Sequence, residues 1–105
     1  MPKKYRLTGE EIRILSGKRM HGKFFSLLIA PILGGHPKCA VVVSKKVAMK
    51  AVDRNTIKRR ARSALVKYLP GVKKAAALVL YAKREAKGAD FKEIVRDIEV
   101  LFSKV

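Results

Sequence analysis

The residues with the clearest chemical capacity in this sequence are cations, and they are grouped. Lys45, Lys46, Lys50, Arg54, Lys58, Arg59, Arg60, Arg62 and Lys67 crowd one short stretch, and of the chain's 8 acidic residues only Asp53 lies between positions 12 and 84. On a helix, Arg54, Lys58 and Arg62 recur every fourth residue and climb one side together, flanked by Asn55 and Arg59. Like charges at that spacing destabilise an isolated helix by roughly a few tenths of a kcal/mol per pair, and no acid at helical spacing offsets them. An ordinary solvated face would intersperse glutamates. A row of cations matches the charge spacing of a phosphate backbone, and arginine adds planar, bidentate phosphate recognition that lysine lacks. The candidate phosphate-binding residues are therefore Lys45, Lys46, Lys50, Arg54, Asn55, Lys58, Arg59 and Arg62. Asn55 also carries an amide able to bond a 2′-hydroxyl or a metal-bound water.

Other chemistries find little support. A nuclease working through its own metal ions needs clustered carboxylates, whereas the acids here sit at expected helix starts (Glu10, Glu11, Asp90, Glu93) or are scattered along the last helix (Asp97, Glu99). His21 and His36 have no ligand spacing with each other or with Cys39. No glycine-rich phosphate loop and no Ser/His/Asp arrangement is visible. No catalytic and no metal-holding residue is assigned to the chain. Cys39, the single cysteine, lies in an apolar run and reads as a small core residue.

The formal net charge is +17, with a pI near 10.5. Self-repulsion of that size destabilises a compact state unless something anionic relieves it. Nucleic acid, whose condensed counterions are released on binding, is the leading partner. A membrane surface is the second, but it needs a basic amphipathic helix with an exposed apolar face, and the apolar residues of the basic helix are expected in the core. The longest apolar stretch, Phe24 to Leu33, is interrupted by Ser26 and Pro31 and falls well short of the roughly twenty residues that span a bilayer. Met1 to Arg6 is basic with no apolar segment directly after it, so no secretory signal is read and a cytoplasmic location is expected.

The elements that must position these residues can be read from periodicity. At 105 residues the chain is sized for one domain, taken as residues 1–105. Thr8 and Glu11 have capping-box spacing and open a short helix over about 9–16, with Ile12, Leu15 and Ile14 turned inward and Gly17 at its end. The period then changes to two, with Phe25, Leu27 and Ile29 on one face and Phe24, Ser26 and Leu28 on the other. A further short strand near Arg19 to His21 precedes it. Pro31, Gly34, Gly35 and Pro37 mark a turn before the strand Cys39 to Val43, which suggests an antiparallel hairpin. The basic helix runs over about 49–69, with Ile57, Ala61, Ala64, Leu65 and Tyr68 toward the core, and Pro70-Gly71 stops it. Leu78 to Ala82 is another strand. Asp90 and Glu93 repeat the capping logic before a last helix whose Phe91, Ile94, Val95, Ile98, Leu101, Phe102 and Val105 form one apolar face. An aromatic residue on an exposed sheet face would stack on single-stranded bases. Phe24 is the first choice, with plain core packing as its equal alternative, and Tyr81 the second, with Lys18 and Arg19 beside them; Tyr5 lies too near the end to weigh.

Two segments carry a family resemblance. Ser44-Lys45-Lys46-Val47, followed by Ala51-Val52-Asp53-Arg54-Asn55-Thr56-Ile57-Lys58-Arg59-Arg60-Ala61-Arg62, resembles the bacterial ribonuclease P protein family in its pattern Ser-Lys-Lys, a short gap, then Ala-Val-x-Arg-Asn-x-x-Lys-Arg-x-x-Arg. Gly17, Gly22, Gly35-His36-Pro37 and the closing strand and helix fit the same family. Thr56 stands where members often carry arginine, and Ile12, Ile14 and Leu15 stand where members usually present phenylalanines to a leader-binding cleft. The resemblance implies an α+β two-layer sandwich of order α-β-β-β-α-β-α, with a mixed four-stranded sheet and a left-handed β-α-β crossover. It also implies that a catalytic RNA subunit binds the magnesium ions and cleaves the 5′ leader from precursor tRNA, while the protein binds that RNA and the leader. No obligate protein partner is expected. The rival reading is a basic ribosomal protein with a purely structural role on ribosomal RNA.

Overall fold

The computed structural model describes residues 6–32, 37–69 and 75–104. Its elements, in order, are α1 (Gly9–Ile14), β1 (Lys18–His21), β2 (Phe25–Pro31), β3 (Lys38–Val42), α2 (Ala51–Tyr68), β4 (Ala76–Ala82), a 3-10 turn (Arg84–Ala86) and α3 (Phe91–Ser103). The sheet has four strands in the order β1-β2-β4-β3. β1 runs antiparallel to β2 and β2 antiparallel to β4, whereas β3 is parallel to β4. The sheet is therefore mixed, and α2 is the crossover between its two parallel strands.

This order corrects the expected hairpin between β2 and β3. β4 takes the place between them, pairing with β2 from Phe25↔Ala82 to Pro31↔Ala76 and with β3 from Lys38↔Ala77 to Val42↔Tyr81. Its Ala77, Leu78, Val79 and Leu80 are fully buried on both faces, as a central strand requires. The true hairpin is β1–β2. The expected turn at Gly34-Gly35-His36, the Pro70-Gly71 stop, Tyr5 and Val105 lie outside the described residues.

One face of the sheet is covered by α2 and α3. Phe25, Leu27, Cys39, Val41, Leu78 and Leu80 meet Ile57, Ala61, Ala64 and Leu65 of α2 and Ile94, Ile98 and Leu101 of α3 in a single apolar cluster. Tyr68 and Phe102 join the helices edge to face, with ring centroids 5.8 Å apart. The reverse face is partly covered by α1. Thr8 and Glu11 form the expected capping box, with the Thr8 N–H donating to Glu11 Oε1 at 2.9 Å and the Glu11 N–H to Thr8 Oγ1 at 3.2 Å. Glu11 also pairs with Lys38 of β3 at 3.5 Å, which ties α1 to the sheet edge. Gly17 lets the chain pass between α1 and β1 against β2, because a Cβ there would lie 2.1 Å from the Ile29 carbonyl oxygen.

The β1–β2 turn is held by a residue far away in sequence. Asp97 of α3 is buried, and its carboxylate accepts the backbone N–H groups of Lys23, Phe24 and Phe25 at 2.8, 3.0 and 3.0 Å. Gly22 fits beneath it, since a Cβ at that position would come 2.7 Å from Asp97 Oδ1. Phe24 belongs to this turn and not to β2. The alternation that would send it to the exposed sheet face does not reach it, and its ring is 7% exposed, in the core cluster.

Candidate nucleic-acid interface

α2 is an 18-residue helix whose buried side consists of Ile57, Ala61, Ala64 and Leu65; its other faces carry the cations, together with Asp53 and the exposed Val52 and Val66. Asn55, Arg59 and Arg62 are exposed, as are Lys45, Lys46 and Lys50 in the loop leading into the helix, while Arg54 and Lys58 are half-buried. Among the described residues the one ion pair within 4 Å is Lys38–Glu11, so no carboxylate neutralises the ridge at contact distance. Arg60 turns the other way, its guanidinium donating to the Ala89 carbonyl at 3.1 Å ahead of α3.

Arg54 has a second task that its spacing does not reveal. Its Nη1 donates to the carbonyl oxygens of Ala48 at 3.0 Å and Met49 at 2.7 Å, folding the Lys45–Lys50 loop against the helix start. Lys50 is the N-cap and makes no side-chain capping bond. Thr56, at a position where an arginine would add to the cations, donates its hydroxyl to the Val52 carbonyl at 2.9 Å. A residue that sequence reasoning passed over joins the ridge: Arg6, bridged to β3 at Cys39, lines a shallow hollow with Arg59, Arg62, Ser63 and Val66. Burial pushes the Cys39 thiol up to about 11, with Arg62 nearby pulling the other way.

A second surface lies on the reverse face of the sheet. Register places Arg19, Leu28, Val79 and Ala40 in one row across the strands and His21, Ser26, Tyr81 and Val42 in the next. Between these rows and α1 runs a cleft of about 540 Å³, walled by Ile12, Arg13, Leu15, Arg19, Leu28 and Tyr81. The Arg19 guanidinium lies 4.5 Å from the Tyr81 ring centroid, so a cation and a half-buried aromatic are already stacked at its rim. Among the leader-binding candidates, the structure brings Arg19 and Tyr81 together. Lys18 pairs with Ile29, on the face opposite Arg19, and Phe24 is in the core.

Four of the eight carboxylates, Glu11, Asp90, Glu93 and Asp97, are engaged in holding the fold. Glu11 and Glu93 close capping boxes, and Asp97 takes three backbone N–H groups. The Thr8 N–H and hydroxyl, followed by Lys38, hold the Glu11 carboxyl below its usual range. The described residues contain no group of three or more His, Cys, Asp or Glu placed to hold a metal ion. No described helix is long and apolar enough to cross a membrane.

Comparison with known proteins identifies this arrangement. The family model described as ribonuclease P matches residues 1–105. The chain belongs to the ribonuclease P protein family. It is 28% identical over 104 residues to the ribonuclease P protein component of Picosynechococcus sp., covering 96% of this chain and 90% of that one. It is 39% identical over 87 residues to the ribonuclease P protein component of Thermus thermophilus, covering 82% of this chain and 49% of the longer relative. The fold matches a mutant RNase P protein of Staphylococcus aureus at TM-score 0.86 and 23% identity, over 96% of this chain and 87% of that chain. The RNase P protein of Thermotoga maritima matches at TM-score 0.84 and 20% identity, over 95% and 96%. The mixed four-stranded sheet with three helices is thus the fold of ribonuclease P proteins.

Proposed function

We propose that this protein is the RNA-binding partner of a catalytic ribonuclease P RNA and promotes removal of the 5′ leader from precursor tRNA, in the cytoplasm. The observation that carries this reading is the outward row of cations on α2, none of them ion-paired among the described residues and continuous with the Lys45–Lys46 loop, in a chain of this family. Lys45, Lys46, Lys50, Asn55, Lys58, Arg59 and Arg62 bind the phosphates of the catalytic RNA, releasing counterions as they do so. Arg54 contributes charge and holds the loop that presents the lysines. The cleft between α1 and the sheet receives the single-stranded leader, with Tyr81 and Arg19 offering a stacking surface and Ile12 and Leu15 an aliphatic wall.

The chemistry belongs to the RNA. Magnesium-dependent phosphodiester hydrolysis needs convergent oxygen ligands, and the carboxylates placed in capping boxes or on backbone donors do not form such a set. The ions are assigned to the RNA subunit, and the protein acts by screening charge and positioning substrate. Reconstitution with ribonuclease P RNA and precursor tRNA tests this. Addition of the protein lowers the magnesium concentration required for leader removal, and the protein alone leaves the substrate intact. Cleavage by RNA-free protein would refute the division of labour. Tight binding to ribosomal RNA with no effect on leader removal would support the ribosomal reading instead.

A further inference from the structure

A second groove lies at the opposite edge of the molecule from the α2 ridge. It runs between the β1–β2 turn and α3, with a volume of about 450 Å³. β1 is the sheet edge farthest from β3, and α2 leads out of β3, so this groove and the basic ridge lie toward opposite edges of the sheet. Lys92, Arg96 and Val100 recur every fourth residue and form its α3 wall, while Lys23 and Phe24 form the other. Val100 is 47% exposed, and the Lys23 ammonium lies 5.3 Å from the Phe24 ring centroid. Glu93 and Asp97 also border the groove; both Asp97 oxygens accept backbone N–H groups of Lys23 to Phe25, and Glu93 Oε1 accepts the Asp90 N–H. Among the described residues, Lys23, Lys92 and Arg96 have no carboxylate within 4 Å.

We infer that this groove is a second RNA site, taking a single-stranded segment whose phosphates bridge Lys92 and Arg96 and whose base rests on Val100 and the Lys23 stem. Charge decides the occupant: a second copy of a +17 chain would be repelled, whereas a polyanion is attracted. A cationic groove with an apolar floor is the combination that single strands use, because every base offers a flat apolar face. The site deepens the RNA-binding reading and rests on it, since it would let one RNA, or a second segment of the same assembly, engage the edge that the α2 ridge cannot reach.

The test is titration of isotope-labelled full-length protein with a ten-nucleotide oligouridylate, followed by amide shifts, beside salt titrations of the Lys92→Gln/Arg96→Gln variant. The expected result is perturbation of residues 22–24 and 92–100, with the salt slope of oligonucleotide binding reduced by about 1.4 in the variant, or ~0.7 for each phosphate no longer neutralised. Both changed side chains are exposed, and circular dichroism checks that the variant folds. Silence in the groove while the α1 cleft or α2 responds would overturn this site and leave the proposed function standing. Silence everywhere would count against both. A dimer in sedimentation of RNA-free protein, abolished by Val100→Glu, would assign the groove to a second copy and also overturn the inference.

Discussion

Helices α2 and α3 lie side by side on one face of the same sheet, and their construction differs at the N-cap and in how their charges are balanced. α3 opens with a reciprocal cap between Asp90 and Glu93, buries Ile94, Ile98 and Leu101, and uses Asp97 to pin a distant turn. α2 opens on Lys50 with no capping side chain, although Asp53 lies in its first turn, stacks the three cations Arg54, Lys58 and Arg62 every fourth residue, and buries Ile57, Ala61, Ala64 and Leu65. The reciprocal cap and the buried carboxylate favour stability. The cation row of α2 gives up roughly a few tenths of a kcal/mol for each adjacent pair of cations, and local rules are broken in this way mainly where a surface serves binding. The capped start and inward face of α3 serve folding, whereas the outer face of α2 is the surface that the proposed function assigns to RNA.

The largest expected effect tests the folding half. Asp97→Ala leaves three backbone N–H groups around a buried turn without their acceptor, and should cost roughly 3 kcal/mol or more in urea unfolding. If its stability loss stayed below about 1 kcal/mol, α3 would not be the stabilising member of the pair.

Next come the two caps, exchanged in opposite directions. Asp90→Ala should destabilise the protein by about 1 kcal/mol, whereas Lys50→Asp, which supplies α2 with a capping carboxylate, should stabilise it by up to about 1 kcal/mol. The same Lys50→Asp protein should bind ribonuclease P RNA more weakly in a filter assay. A stabilised variant with undiminished RNA affinity would erase the proposed trade between the helices.

The smallest change in stability sharpens the same point. Lys58→Glu places an acid between Arg54 and Arg62 at the favourable spacing, and thermal melts should show a gain of roughly 0.5 kcal/mol, with RNA affinity falling. Loss of stability here would mean that Lys58 makes a structural contact, in keeping with its half-buried position.

How much of this could be read in the sequence follows the range of the interactions. The core face of α2, both capping boxes and the ridge of cations were legible, because each is a pattern within one helix. The place of β4 between β2 and β3 was not, since strand order depends on pairings between segments distant in the chain. Of the two readings of Phe24, stacking surface or core, the structure takes the core, because period two says nothing about where a turn ends and a strand begins. Asp97 looked like one acid among several on the last helix, and its partners lie 72 to 74 residues away. Arg54 was legible as a cation, but its bonds to the Ala48 and Met49 carbonyls depend on how the loop folds back.

The proposed function stands or falls with the α2 ridge, and the direct measurement is the salt dependence of binding to ribonuclease P RNA for Lys58→Gln/Arg62→Gln, which leaves the loop-holding Arg54 in place. The slope of log affinity against log salt should fall by about one unit for each phosphate that the variant no longer neutralises, with the fold unchanged by circular dichroism. A slope identical to that of the unaltered protein would contradict the assignment of this ridge to RNA.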